Sequence, residues 1–111
     1  MSMARDELAD RVRDLLPRGV HAVEKKMFGG LAFMVHGNML VAMMKDGSML
    51  VRVGKEGMET ALALPGAQKM EMGERTMGGF VQVTGDALED DEALAGWLHR
   101  AWTHVKMMPA K

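Results

Sequence analysis

Four histidines, two serines and a run of four acids are the side chains here that chemistry could recruit. His21, His36, His99 and His104 are metal-ligand types, but only His99 and His104 lie close together, at i and i+5. A zinc-binding helix places its histidines at i and i+4, so this spacing makes a poor chelate. No carboxylate adds a third ligand at motif spacing, and neither a metal nor a cofactor is expected. His36 reads as a surface residue at a turn. Ser2 and Ser48 are the only serines, and neither sits in a G-x-S-x-G elbow. There is no cysteine, which excludes disulfides, thiolate metal sites and thiol nucleophiles. Glu89, Asp90, Asp91 and Glu92 are consecutive and do not face one another on a helix; a helix cap and an acidic first turn account for them. No nucleophile, metal or acid/base set is visible, so the expectation is a protein that is not an enzyme.

Two patterns could hold an anion instead. Phe28-Gly29-Gly30 could form a nest of successive N–H groups, but no Walker or G-x-G-x-x-G spacing accompanies it and a strand follows. A bulge or sharp bend where a Cβ would clash is the plainer reading, and Gly78-Gly79 repeats it. Lys25, Lys26, Arg52, Lys55, Lys69 and Arg75 could converge into a basic patch. Their interspersion with acids reads more simply as solvated surface, and few aromatics exist to stack bases.

The elements that must position these residues follow from periodicity. Residues 4–16 read as an amphipathic helix with Leu8, Val12, Leu15 and Leu16 inward, stopped by Pro17 and Gly19. Residues 21–27 read as a short strand. Three strands follow within Lys25–Gly54, then a short helix over 55–64, an edge strand over 67–72, a loop over 73–79 and a strand over 80–84. A last helix runs from Asp90 or Asp91 to Met107, its stripe Leu94, Trp97, Leu98, Ala101 and Val105, with Trp102 at the margin. The order α-β-β-β-β-α-β-β-α predicts an α+β fold, an antiparallel sheet flanked by the N- and C-terminal helices. Residues 1–111 read as one domain.

Turn chemistry predicts the register of the central strands. Gly37-Asn38 suits a type II′ turn and Asp46-Gly47 a type I′ turn. Two-residue loops would pair His36 with Met39, Met34 with Val41, Ala32 with Met43, Lys45 with Ser48, Met43 with Leu50, and Val41 with Arg52. One face would then carry Leu31, Phe33, Val35, Leu40, Ala42, Met44, Met49, Val51 and Val53. The other would carry Ala32, Met34, His36, Met39, Val41, Met43, Leu50 and Arg52. A register slip of one residue exchanges such sets. The second face is apolar where a solvated one should be polar, so an interface is expected there.

The 48% hydrophobic and 26% charged composition is that of a soluble globule. A net charge of -1 argues against a general nucleic-acid binder, which needs a basic surplus. No apolar run reaches the ~20 residues that span a bilayer, and the acid-bearing N-terminus is no signal peptide, so a cytoplasmic location is expected. Fourteen methionines suit either an adaptable core or an adaptable surface.

The segment MFGGLAFMVHGNMLVAMMKDGSMLVRVG, from Met27, resembles the TfoX N-terminal domain family, also called TfoX/Sxy. PGAQKMEMGERTMGGFVQV at 65–83, an acidic linker and a final helix carrying Trp97 add to the likeness, which covers about residues 5 to 108. The MFGG start and the strand Met77-Gly78-Gly79-Phe80-Val81-Gln82-Val83 are specific in combination. The resemblance implies a two-layer α+β domain with an antiparallel sheet and a link to regulation. Longer members that regulate bacterial natural competence carry a second, helical domain, and this chain reads as a member without it. The resemblance supplies no catalytic residue. The expected function is a small regulatory or interaction module that associates, as a homodimer or with another protein, through Met34, Met39, Val41, Met43, Leu50 and Arg52. The alternative is a nucleic-acid-associated regulator using Lys25, Lys26, Arg52, Lys55 and Arg75.

Overall fold

The computed structural model describes residues 2–27, 30–72 and 75–109, with side chains over 6–26, 30–69 and 79–109. In chain order the elements are α1 (Ser2–Leu15), β1 (Val23–Met27), β2 (Gly30–Val35), β3 (Asn38–Met43), β4 (Met49–Arg52), α2 (Gly54–Leu62), β5 (Ala67–Met72), β6 (Arg75–Val83) and α3 (Asp91–Val105). A 3₁₀ turn at Gly85–Leu88 precedes α3. This is the predicted α+β order, in one antiparallel sheet arranged β1-β2-β3-β4-β6-β5. One difference is that Arg75–Gly79, expected within a loop, belongs to β6.

The helices form where their apolar spacing gives them a face to bury. Leu94, Trp97, Leu98, Ala101 and Val105 of α3 are all buried, as the stripe predicts, and Trp102 is half-buried beside them. Asp90 caps α3, its carboxylate accepting from the Glu92 N–H at 3.4 Å. Leu8 and Val12 of α1 and Ala61 of α2 join the same core. Each such large side chain stabilises by roughly 1.5–3 kcal/mol through burial. Arg11 fastens α1 to the start of α3, donating to the Asp91 carboxylate at 2.9 Å and the Glu89 carbonyl at 3.0 Å. Arg13 fastens it to β1, donating from Nε to the Glu24 carboxylate at 2.6 Å. That bond holds Glu24 below its usual carboxylate range.

Both predicted hairpin loops are off by one residue, the first in position and the second in length. The first turn is His36-Gly37, not Gly37-Asn38, and both of its residues are left-handed, at φ 52° and 82°. That is the type I′ pattern, with glycine at its second position, and histidine tolerates the first. Asn38 is thereby freed to turn inward, where its amide donates to the Pro109 carbonyl at 3.0 Å. The second loop has three residues, Lys45-Asp46-Gly47. The Gly47 N–H donates to the Met44 carbonyl, and the Met44 N–H to the Ser48 carbonyl. Gly47, at φ 88°, supplies the left-handed step that closes a type I turn in a three-residue hairpin. Asp46 stiffens the loop, accepting from the Ser48 N–H at 2.9 Å and hydroxyl at 2.6 Å. These bonds hold its carboxyl below the usual range.

A bulge between the Met34–Met39 and Phe33–Val41 pairs leaves Leu40 as the extra residue. The slip and the bulge together correct the face assignment of β3. Val41 and Met43, expected on the open face, are fully buried under the helices, and Ala42 takes the opposite face. Met44 lies outside the strand. One cross-sheet row on the helix side reads Phe33–Val41–Val51–Val81. A row on the other side reads Ala32–Ala42–Leu50–Gln82–Gln68.

That other side is no bare apolar patch. Ala32, Ala42, Leu50 and Phe80 are buried as a second, smaller cluster, with Met34 and Met39 half-buried against it. A polar chain flanks it: Gln68 donates to Gln82 at 3.3 Å, Gln82 to the Ser48 hydroxyl at 3.0 Å, and Ser48 to Asp46.

Candidate functional site

At the end of β4 the chain turns into α2 through Arg52-Val53-Gly54. The Val53 N–H donates to the Gly79 carbonyl at 2.8 Å, binding this corner to β6. Gly54 is left-handed at φ 78°, and a Cβ there would stand 2.4 Å from the His104 imidazole. Gly79, at φ 88°, would place its own Cβ 3.5 Å from Gly54. Glycine at both positions therefore lets strand, helix start and α3 crowd together.

Between the start of α2 and the outward stripe of α3 lies a cleft of about 1280 Å³. One wall is Gly96, His99, Arg100, Thr103 and His104, at the i, i+3, i+4 spacing of a single helix face. The other is Gly54, Lys55, Glu56 and Gly57, and Arg52, Val53 and Phe80 complete the lining beside Met107 and Met108. No side chain caps the start of α2. A smaller cavity of about 310 Å³ adjoins it, sharing Gly96 and Arg100 and backed by Trp97.

Arg52 is the most constrained cation of the cleft. Its guanidinium lies 4.7 Å from the centre of the Phe80 ring, and it donates to the Met108 sulfur at 3.4 Å. Burial pushes its pKa below the ordinary arginine value. Among the described residues, Arg52, Lys55 and Arg100 have no ion pair. Glu56 is, among the described residues, the sole acid lining the cleft. The site is thus a cationic groove with an apolar floor, suited to holding a negatively charged group.

Of the residues singled out in the sequence, the groove gathers Arg52 and Lys55, with Gly79 at its corner. Lys25 and Lys26 are exposed on the edge strand β1, and Lys69 lies on β5 at the opposite edge. Five strand spacings of about 4.8 Å separate these edges, so the lysines share no patch. Gly30 begins β2 with its missing Cβ 2.4 Å from the Met43 carbonyl, a close approach only glycine permits. Gly78 lies within β6. Gly29 and the Arg75 side chain lie outside what is described. Met34, Met39 and Leu50 share the helix-free face, and Val41 and Met43 do not. Among the described residues no three metal-ligating side chains cluster, and no helix is long and apolar enough to cross a membrane.

Sequence reasoning did not place His99, Arg100, Thr103 and His104 in a site. They are the polar face of an amphipathic helix, indistinguishable in spacing from an ordinary solvated face. Only the fold shows α2 standing opposite them.

An antiparallel sheet with helices on one side and a charged groove at one end defines a small α+β domain. The family model of the TfoX N-terminal domain matches residues 14–105, and the chain belongs to that family. Membership supports a regulatory, competence-related module. No curated protein and no solved structure matches the chain.

Proposed function

We propose that this domain is a regulatory module that works by binding another macromolecule, without turning over a substrate, and that its contact surface is the α2–α3 groove. The observation carrying this reading is a cleft in which, among the described residues, Arg52, Lys55 and Arg100 make no ion pair and share the lining with one acid, Glu56. A protein keeps unpaired cations around a concave surface at some electrostatic cost, which a bound anion relieves. The helix-free sheet face supports association less well, because its larger side chains are already buried or half-buried.

Transcript profiling tests this. Cells lacking the chain are complemented with the wild type, with Arg52→Glu/Arg100→Glu, or with Met34→Glu. The wild type and Met34→Glu should restore the transcript pattern, and the groove variant should fail while remaining folded by circular dichroism. Restoration by all three removes the groove from the function. A pattern indifferent to loss of the chain removes the regulatory reading.

A further inference from the structure

We propose that the groove receives an extended acidic peptide of a partner protein, with its carboxylates on Arg52 and Arg100 and an apolar neighbour against Met107. This deepens the binding-module reading and rests on it. The charge is the first argument: among the described residues, three cations without an ion pair and two imidazoles line a surface whose one acid is Glu56. Geometry is the second. Guanidinium forks match carboxylates in a bidentate way. Arg52 is already held by the Phe80 ring and the Met108 sulfur, so little freedom is lost when it engages a ligand.

Size is the third argument. From Gly96 to His104 the α3 wall rises about 12 Å, just over two helical turns. That length matches about four residues of extended chain. Gly96 opens one end, since a Cβ there would meet nothing within 4 Å. Met107, which is 79% exposed, stands at the other as a soft apolar contact. A lone phosphate would leave such a cleft mostly empty. A nucleic-acid strand would seek successive aromatic platforms. Among the described residues, Phe80 is the one aromatic lining the groove, and its face is occupied by Arg52.

The test is an NMR titration of the ¹⁵N-labelled chain at low salt. The probes are a heptapeptide of alternating glutamate and leucine, its glutamine counterpart, and a seven-nucleotide oligo-dT. The acidic peptide should shift amide signals of Arg52, Gly54, Lys55, Thr103 and His104. Arg52→Gln/Arg100→Gln should weaken it about tenfold, as expected for lost charge-assisted bonds. Glu56→Lys should tighten it, and Lys25→Gln/Lys26→Gln should leave it unchanged. Equal binding of the glutamine peptide, tighter binding of oligo-dT, or equal weakening by the Lys25/Lys26 variant would each overturn the proposal. So would silence of both the wild type and Glu56→Lys toward the acidic peptide. If the peptide fails while the groove variant still fails to restore transcripts, the acidic-peptide inference falls and the binding-module reading stands. If the groove variant also restores transcripts, both fall.

Discussion

The two faces of the sheet are closed by different means. On one, three helices lay Leu8, Val12, Ala61, Leu94, Leu98 and Val105 over Phe33, Val41, Met43, Val51 and Val81. On the other, no helix arrives among the described residues. Two alanines, Leu50 and Phe80 close against one another, and a chain of amides and hydroxyls runs beside them. The first face is large side chains interlocked between layers. The second is small side chains sheltered by their neighbours along the strands. An apolar residue in a strand is therefore not by itself a sign of an interface: Ala32 is fully buried with no second layer above it.

The largest effect separates two methionines. Met43 is fully buried beneath the helices and Met34 is half-buried on the other face. Met43→Glu places a carboxylate among apolar side chains and should cost at least about 4 kcal/mol, enough to unfold most of the population. Met34→Glu can turn its carboxylate to water and should cost about 1 kcal/mol or less. Urea titrations followed by circular dichroism compare them. Equal costs would mean that the helix-free face is as closed as the other.

The two buried phenylalanines sharpen the contrast. Phe33 lies within the helix-covered core and Phe80 within the small cluster. Phe33→Ala should cost about 4 kcal/mol, since its cavity is walled on every side. Phe80→Ala should cost about 2 kcal/mol, because water and the freed Arg52 side chain can fill the space. A larger loss at Phe80 would show that the cluster, and not the helical layer, anchors the sheet.

Most of this architecture was legible in the residues, and the illegible part was local. The α3 stripe from Leu94 to Val105 reads directly as a helix because five apolar residues recur at its period, and all five are buried. The strands were visible from alternation and turn residues. What failed was a single step in each hairpin. Gly37 fits either position of a two-residue turn and Asp46-Gly47 fits more than one loop length, and the choice depends on Asn38 reaching Pro109 and Asp46 holding Ser48. Neither bond can be read from neighbouring residues, and the bulge at Leu40 added to the error. The groove was half legible. Arg52 and Lys55 drew attention as cations, but Arg100, His99 and His104 become part of a site only when α3 folds back across the corner made by Gly54 and Gly79.

The smallest effect concerns the polar flank of the helix-free face. Asp46 is held below its ordinary value of 3.8 by the hydrogen bonds from Ser48. A carboxyl lowered on folding contributes stability that is present above its unfolded pKa and is lost as pH falls through its folded pKa. The wild type should therefore be slightly more stable than Asp46→Asn at pH 7, by a margin that solvent screening keeps small, and the difference should shrink away as pH falls through the folded-state pKa of Asp46. Glu24, lowered by Arg13 at the far edge of the sheet, titrates in the same acid range and remains in both proteins, so it cancels from the comparison. Thermal melts of the two proteins from pH 7 to pH 2.5 measure the gap. A gap that persists at low pH would mean that the loop is held by its turn geometry and glycine alone. The polar chain from Asp46 through Ser48 to Gln82 would then contribute nothing to closing that face.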